Sequence, residues 1–180
     1  MDEINKNFCY VENFLTKEEL EFFSIYAQMY HRSNENSFDE DQTKLGETMQ
    51  VYGTATETLL LLKTKKINKI LETKVLPTYS YWRMYTKFSK LDKHTDRKSC
   101  EITASVNLGG CGTKWPLFID GKEVNIKPGD AVIYHGVEKL HWREEFQGDW
   151  QAQVFLHYVY KEGKYKDFIY DKRQSLGASR

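Results

Sequence analysis

A chain of 180 residues with 40% hydrophobic and 14% aromatic side chains can bury one compact core, which excludes a disordered tail or low-complexity linker. Its 26 basic residues balance 26 acidic ones, so no net field draws it to nucleic acid or an anionic membrane, and neither is expected as a partner. Cys9, Cys100 and Cys111 are odd in number and lack paired zinc spacing, which predicts free thiols in a reducing, cytoplasmic setting; neither an apolar leader nor a spanning run is present.

In chain order, Thr16 followed three residues later by Glu19 forms a capping box and predicts a helix over 17–30, with Leu20, Phe23, Ile25, Ala27 and Tyr30 as its apolar positions. Residues 33–46 are polar and mixed in charge, the composition of a surface loop placed to act as a lid. Leu60, Leu61, Ile67, Ile70 and Leu71 recur at helical spacing and predict a second helix over 57–73, with Lys63-Thr64-Lys65-Lys66 on its solvated side and Pro77 closing the region.

From Thr78 the pattern changes to short strands, expected at 79–85, 101–108, 117–119, 122–126, 131–135 and 151–160, with turns at Asp120-Gly121, Pro128-Gly129-Asp130 and Gly148-Asp149. Helices followed by many short strands predict a mainly β single domain: a jelly-roll barrel over 78–160, helical support over 1–77, and a fraying surface extension over 161–180.

The sharpest chemical signal is His94-Thr95-Asp96, followed 45 residues after the aspartate by His141. Two imidazoles and a carboxylate on one side of a metal form the facial triad of non-heme iron oxygenases, which leaves coordination positions open. His135, just after the Pro-Gly-Asp turn, competes with His141 for the third place. His157 falls inside the last expected strand, on the face shared by Gln151, Gln153 and Phe155, where it either lines a pocket or sits hydrogen-bonded in the core.

The run from Tyr85 through Phe88 and Leu91 to His94-Thr95-Asp96-Arg97 resembles the Fe(II)/2-oxoglutarate oxygenases of the prolyl 4-hydroxylase-like kind, with Phe88 standing where that family has glycine. Residues 124–141, with Lys127-Pro128-Gly129-Asp130, and 153–158 are also similar to it. The resemblance implies a double-stranded β-helix (cupin-like barrel), with iron on His94, Asp96 and His141. It further implies 2-oxoglutarate and dioxygen as cosubstrates, with ascorbate as a possible requirement.

In that family a basic residue on the strand after the distal histidine takes the far carboxylate of 2-oxoglutarate; here that position is Gln151, beside Gln153. Arg143, two residues after His141, is the expected substitute, with Arg83 as a second candidate and Tyr85 cradling the cosubstrate. The reaction implied is hydroxylation of proline in a peptide or protein. Two other readings stand beside it: hydroxylation of a free amino acid or other small molecule, and a non-catalytic cupin-like metal- or ligand-binding module.

Overall fold

The computed structural model describes residues 8–33 and 48–178. Its elements are β1 (Cys9–Val11), α1 (Lys17–Ser33), β2 (Thr48–Val51), α2 (Thr54–Leu71), β3 (Val75–Thr86), β4 (Leu91–His94), β5 (Ile102–Gly110), β6 (Leu117–Ile119), β7 (Lys122–Val124), β8 (Ala131–Tyr134), β9 (His141–Arg143) and β10 (Trp150–Tyr160). Short 3-10 segments add Lys98–Cys100 and Lys166–Lys172.

The strands form two antiparallel sheets: a major sheet in the order β1-β8-β5-β10-β3-β2 and a minor sheet in the order β4-β9-β6-β7. This is the double-stranded β-helix architecture that the strand pattern predicts.

Each long strand of the major sheet is buried on both faces, but the two faces differ in chemistry. On the outer face Trp82, Met84, Ala104, Val106, Val154 and Leu156 pack with Phe23 and Ala27 of α1 and Leu59, Leu60 and Ile67 of α2. Burial of each large apolar side chain contributes roughly 1.5–3 kcal/mol. The alternate residues turn inward to the barrel, where Tyr79, Arg83 and Tyr85 of β3 lie opposite His157, Gln153 and Gln151 of β10. Between the sheets a second cluster joins Leu91, Leu117, Ile119, Val132 and Tyr134.

The capping box on α1 is formed in both directions: the Glu19 amide donates to Thr16 Oγ1 at 3.2 Å and the Thr16 amide to Glu19 Oε2 at 2.8 Å. Several expectations are corrected. Ile25 and Leu61 are exposed, not core. Lys63 is buried, because its ammonium pairs with Glu19 of α1 at 2.5 Å, and Lys66 donates to the carbonyls of Asn13 and Phe14 ahead of α1, so only Lys65 of the run stays exposed.

Pro77 lies inside β3 rather than closing the helical region. It is tolerated where the β3–β10 register slips past Thr78, between His157 opposite Tyr79 and Tyr158 opposite Pro77.

Over its described residues, 161–178, the tail is anchored rather than fraying. Arg173 pairs with the buried Glu57 at 2.5 Å, and Asp171 receives both terminal nitrogens of Arg97 at 2.8 Å. Apart from Ser33, which ends α1, the expected loop over 33–46 lies outside the described residues. No described helix is long and apolar enough to cross a membrane.

Candidate metal centre

The turn between β3 and β4 sets the approach to the centre. Phe88, standing where the resembling family has glycine, takes the left-handed conformation at φ 71°, and its amide donates to the Phe146 carbonyl at 2.8 Å. The turn a glycine would make is therefore kept by a residue that is strained in it.

β4 and β9 are only four and three residues long, and they pair so that His94 sits directly opposite His141. Both rings are held by the same local device. His94 Nδ1 contacts the Asp92 carbonyl and His141 Nδ1 the Lys139 carbonyl, each two residues back and each at 2.8 Å. A carbonyl only accepts, so both Nδ1 atoms carry protons, and each ring in its neutral form presents the Nε2 lone pair. Those Nε2 atoms lie 3.7 and 3.6 Å from the same oxygen, Oδ1 of Asp96.

His94, Asp96 and His141 each offer one ligand atom, all within 4.8 Å of one another. Burial alone would favour a neutral Asp96, but the adjacent His141, with His157 and Thr103, draws its carboxyl down to about 2, so the oxygens are anionic. Burial, and then the neighbouring His141, push His94 the other way, toward the neutral imidazole that a metal requires.

His135, the rival third residue, points elsewhere: its Nε2 meets Tyr160 at 2.8 Å and its Nδ1 lies 3.6 Å from Glu138.

Arg143 and Tyr85 line the same cavity as the two histidines and Asp96, together with Tyr81, Tyr134 and Phe155. Arg143 is 2% exposed and its guanidinium stacks 4.6 Å from the Trp115 ring while Nη1 donates to the Trp115 carbonyl. Its Nη2 is buried with no hydrogen-bond partner among the described residues. Burial lowers its proton affinity to about 10, which still leaves it charged at neutral pH. A buried cation with an unfilled donor and no paired carboxylate is costly unless an anion joins it.

The residues present thus fit both groups that the resemblance implies: a divalent metal at the His-Asp-His set and a carboxylate at Arg143. The enclosed space between them is about 20 Å³, room for one water, so a larger guest requires lining side chains to move.

The other candidates spread further. Arg83 is buried beside Tyr85 at 5.9 Å from its ring, on the inward face. Gln153, also inward, accepts from Ser105 Oγ at 3.4 Å and does not line the histidine cavity. Gln151 lines a separate cavity, on the far side of Trp115, with Asn107, Ile126 and Pro128.

Two residues that matter locally escaped the sequence reading. Thr103 donates to Asp96 Oδ2 at 2.8 Å, and Gly136 accepts the Asp96 amide at 2.7 Å. A threonine amid apolar strand residues and a glycine after a histidine carry no distinguishing pattern.

Searches of family models and of curated proteins give no match. Solved structures do match across the chain. A Pseudomonas putida prolyl-4-hydroxylase aligns over 88% of this chain and 96% of its own, at 14% identity and TM-score 0.64. HygX from Streptomyces hygroscopicus, solved with nickel and 2-oxoglutarate bound, aligns over 86% and 83% at 10% identity and TM-score 0.64. A Trichoplax adhaerens prolyl hydroxylase, solved with a hypoxia-inducible-factor peptide, aligns over 87% and 86% at 14% identity and TM-score 0.61. The chain has the fold of the Fe(II)/2-oxoglutarate oxygenases.

Proposed function

We propose that this protein is an Fe(II)- and 2-oxoglutarate-dependent dioxygenase, with His94, Asp96 and His141 holding iron and Arg143 receiving the far carboxylate of 2-oxoglutarate. The observation that carries this is the buried Nη2 of Arg143, without a hydrogen-bond partner among the described residues, on a side chain that lines the same cavity as the two histidines and Asp96. When bound, iron and 2-oxoglutarate supply oxidation of a substrate C–H bond coupled to decarboxylation of the cosubstrate to succinate.

This chain's own residues contribute binding, orientation and exclusion of water. The carbonyls of Asp92 and Lys139 fix both imidazoles in one tautomer. Tyr85, buried beside Arg143, closes the wall of the cavity and keeps the ion pair with the cosubstrate dry, where it is stronger than in water. Gln151 and Gln153 stand on the inward face of β10 opposite Tyr85 and Arg83, outside the lining of that cavity.

The substrate proposed is a proline within a peptide or protein. An open cleft of about 490 Å³ reaches Asp96 between the Arg97–Lys98 turn and the rings of Tyr165 and Phe168, and a cleft open to solvent suits an extended chain. The prolyl hydroxylases among the matched structures support it. A free small molecule is the second reading, favoured by the match to HygX, one structure of which holds hygromycin B.

The test is anaerobic titration of the protein with Fe(II) and 2-oxoglutarate. A visible charge-transfer band is expected in the wild type and in His135→Ala, and not in His141→Ala; Arg143→Met should need far more 2-oxoglutarate to produce it. An iron-loaded wild type that shows no band sinks the cosubstrate assignment and leaves a cupin-like binding module.

A further inference from the structure

The two oxygens of Asp96 have different surroundings. Oδ1 faces the two histidine Nε2 atoms. Oδ2 points away from them and accepts from Thr103 Oγ1 at 2.8 Å. A hydroxyl has one proton, and an ionised carboxylate only accepts, so that proton is committed to Asp96. The 3.1 Å contact between Thr103 Oγ1 and His157 Nδ1 must then run from the ring N–H to the hydroxyl oxygen.

The direction of the whole chain, from His157 to Thr103 to Asp96, is thereby fixed. The His157 ring is itself held against Tyr79 at 4.5 Å and Tyr81 at 5.7 Å. Gly136 closes the remaining side: a Cβ there would stand 2.2 Å from Asp96 Oδ2, 2.5 Å from the Cys100 carbonyl and 2.7 Å from Thr103 Oγ1.

We propose that Thr103, oriented by His157, is a positioning residue that engages Oδ2 and so reserves one oxygen of Asp96 for the metal. The inference rests on the iron-site reading above. Its functional content is a coordination count. A carboxylate that turned both oxygens to the metal would fill a position that a facial triad must leave open for cosubstrate and dioxygen. Outer partners of ligands typically change metal affinity by about 10- to 100-fold when removed.

The same side of Asp96 offers a rival donor set, because Asp96, Cys100 and His157 also bring ligand atoms within 4.8 Å of one another. In the proposed arrangement this set stays metal-free, with Cys100 Sγ hydrogen-bonded to the Tyr79 hydroxyl at 3.0 Å. Burial pushes the Cys100 thiol up, away from the thiolate that a metal would need.

The experiment is binding of Co(II) to the full chain, followed by calorimetry and by the visible spectrum, for wild type, Thr103→Ser, Thr103→Val, His157→Phe and Cys100→Ser. Wild type, Thr103→Ser and Cys100→Ser should bind alike. Thr103→Val, which keeps the side-chain shape, should bind roughly 10- to 100-fold more weakly, with altered d–d bands that report a changed ligand count and an unchanged circular dichroism spectrum. His157→Phe, which keeps the ring stack, should show a smaller loss in the same direction, and it carries the test if Thr103→Val does not fold.

Wild-type affinity and spectrum in both Thr103→Val and His157→Phe would overturn the positioning role and leave the metal reading intact. Failure of the wild type to bind Co(II) would overturn the metal reading itself. A thiolate-to-cobalt band that disappears in Cys100→Ser would move the ion to the rival set and overturn the proposal.

Discussion

The two faces of the major sheet are made by the same strands and buried to similar depth, yet they carry different tasks. On the outer face, Trp82, Val154 and Leu156 meet the helices in an apolar core. On the inner face, one residue along each strand, Arg83, Gln153 and His157 are equally buried and polar. Burial alone does not mark a residue as core; what it is buried with does. The outer face contributes stability through apolar area, whereas the inner face holds polar groups away from water, at a cost in stability.

Leu156→Ala tests the outer face with the largest expected effect. A loss of about 2–5 kcal/mol in urea unfolding is expected, with Co(II) affinity of the folded fraction unchanged. A parallel collapse of metal binding would show that the two faces are not separable.

Arg143→Met should act in the opposite sense. Removing a buried cation that has no carboxylate partner among the described residues should leave stability unchanged or raise it by about 1–4 kcal/mol, while the 2-oxoglutarate response is lost. A strongly destabilised variant would mean that the arginine belongs to the core.

A smaller effect is expected optically. Trp115 contacts Arg143 by both its ring and its carbonyl, so 2-oxoglutarate added with Mn(II) should change tryptophan fluorescence in the wild type and not in Trp115→Phe. An identical response in both would place the cosubstrate away from Arg143.

Phe88→Gly, at the turn between the two sheets, should gain up to about 1 kcal/mol, the left-handed strain relieved less the added chain entropy of glycine. Equal melting temperatures would show that the strain is already offset.

The smallest perturbation is chemical. The exposed Cys111 thiol, raised by burial but lowered more by its hydrogen bonds with the Thr113 side chain and neighbouring backbone, the Asp149 amide among them, comes to about 7. Its alkylation by iodoacetamide should rise through neutral pH, ahead of the buried Cys100 and without effect on Co(II) binding.

Much of this architecture was legible because it repeats a period. The Thr16–Glu19 capping box located α1, and the strand-like runs over 131–135 and 151–160 located β8 and β10 within a residue. The His-x-Asp pair and His141 stood out by chemistry, and the structure brings them together.

What was missed lacks a period. β4 and β9 present the two histidines from four- and three-residue strands with polar members, too short for alternation to register. Lys63 is buried only because Glu19 on another helix receives it, and no local pattern announces a partner 44 residues away. The tail looked like a solvated extension because its anchors, Arg173 to Glu57 and Arg97 to Asp171, are long-range pairs.

Those anchors also bear on when the molecule becomes whole during synthesis. Arg97 directly follows Asp96, and its clamp, Asp171, lies in a run of three left-handed residues, Tyr170, Asp171 and Lys172, which docking must hold in place. A chain still being translated leaves Arg97 unclamped until the segment around residue 173 has cleared the ribosome. The neighbour of Asp96 is thus secured by a segment made 74 residues later.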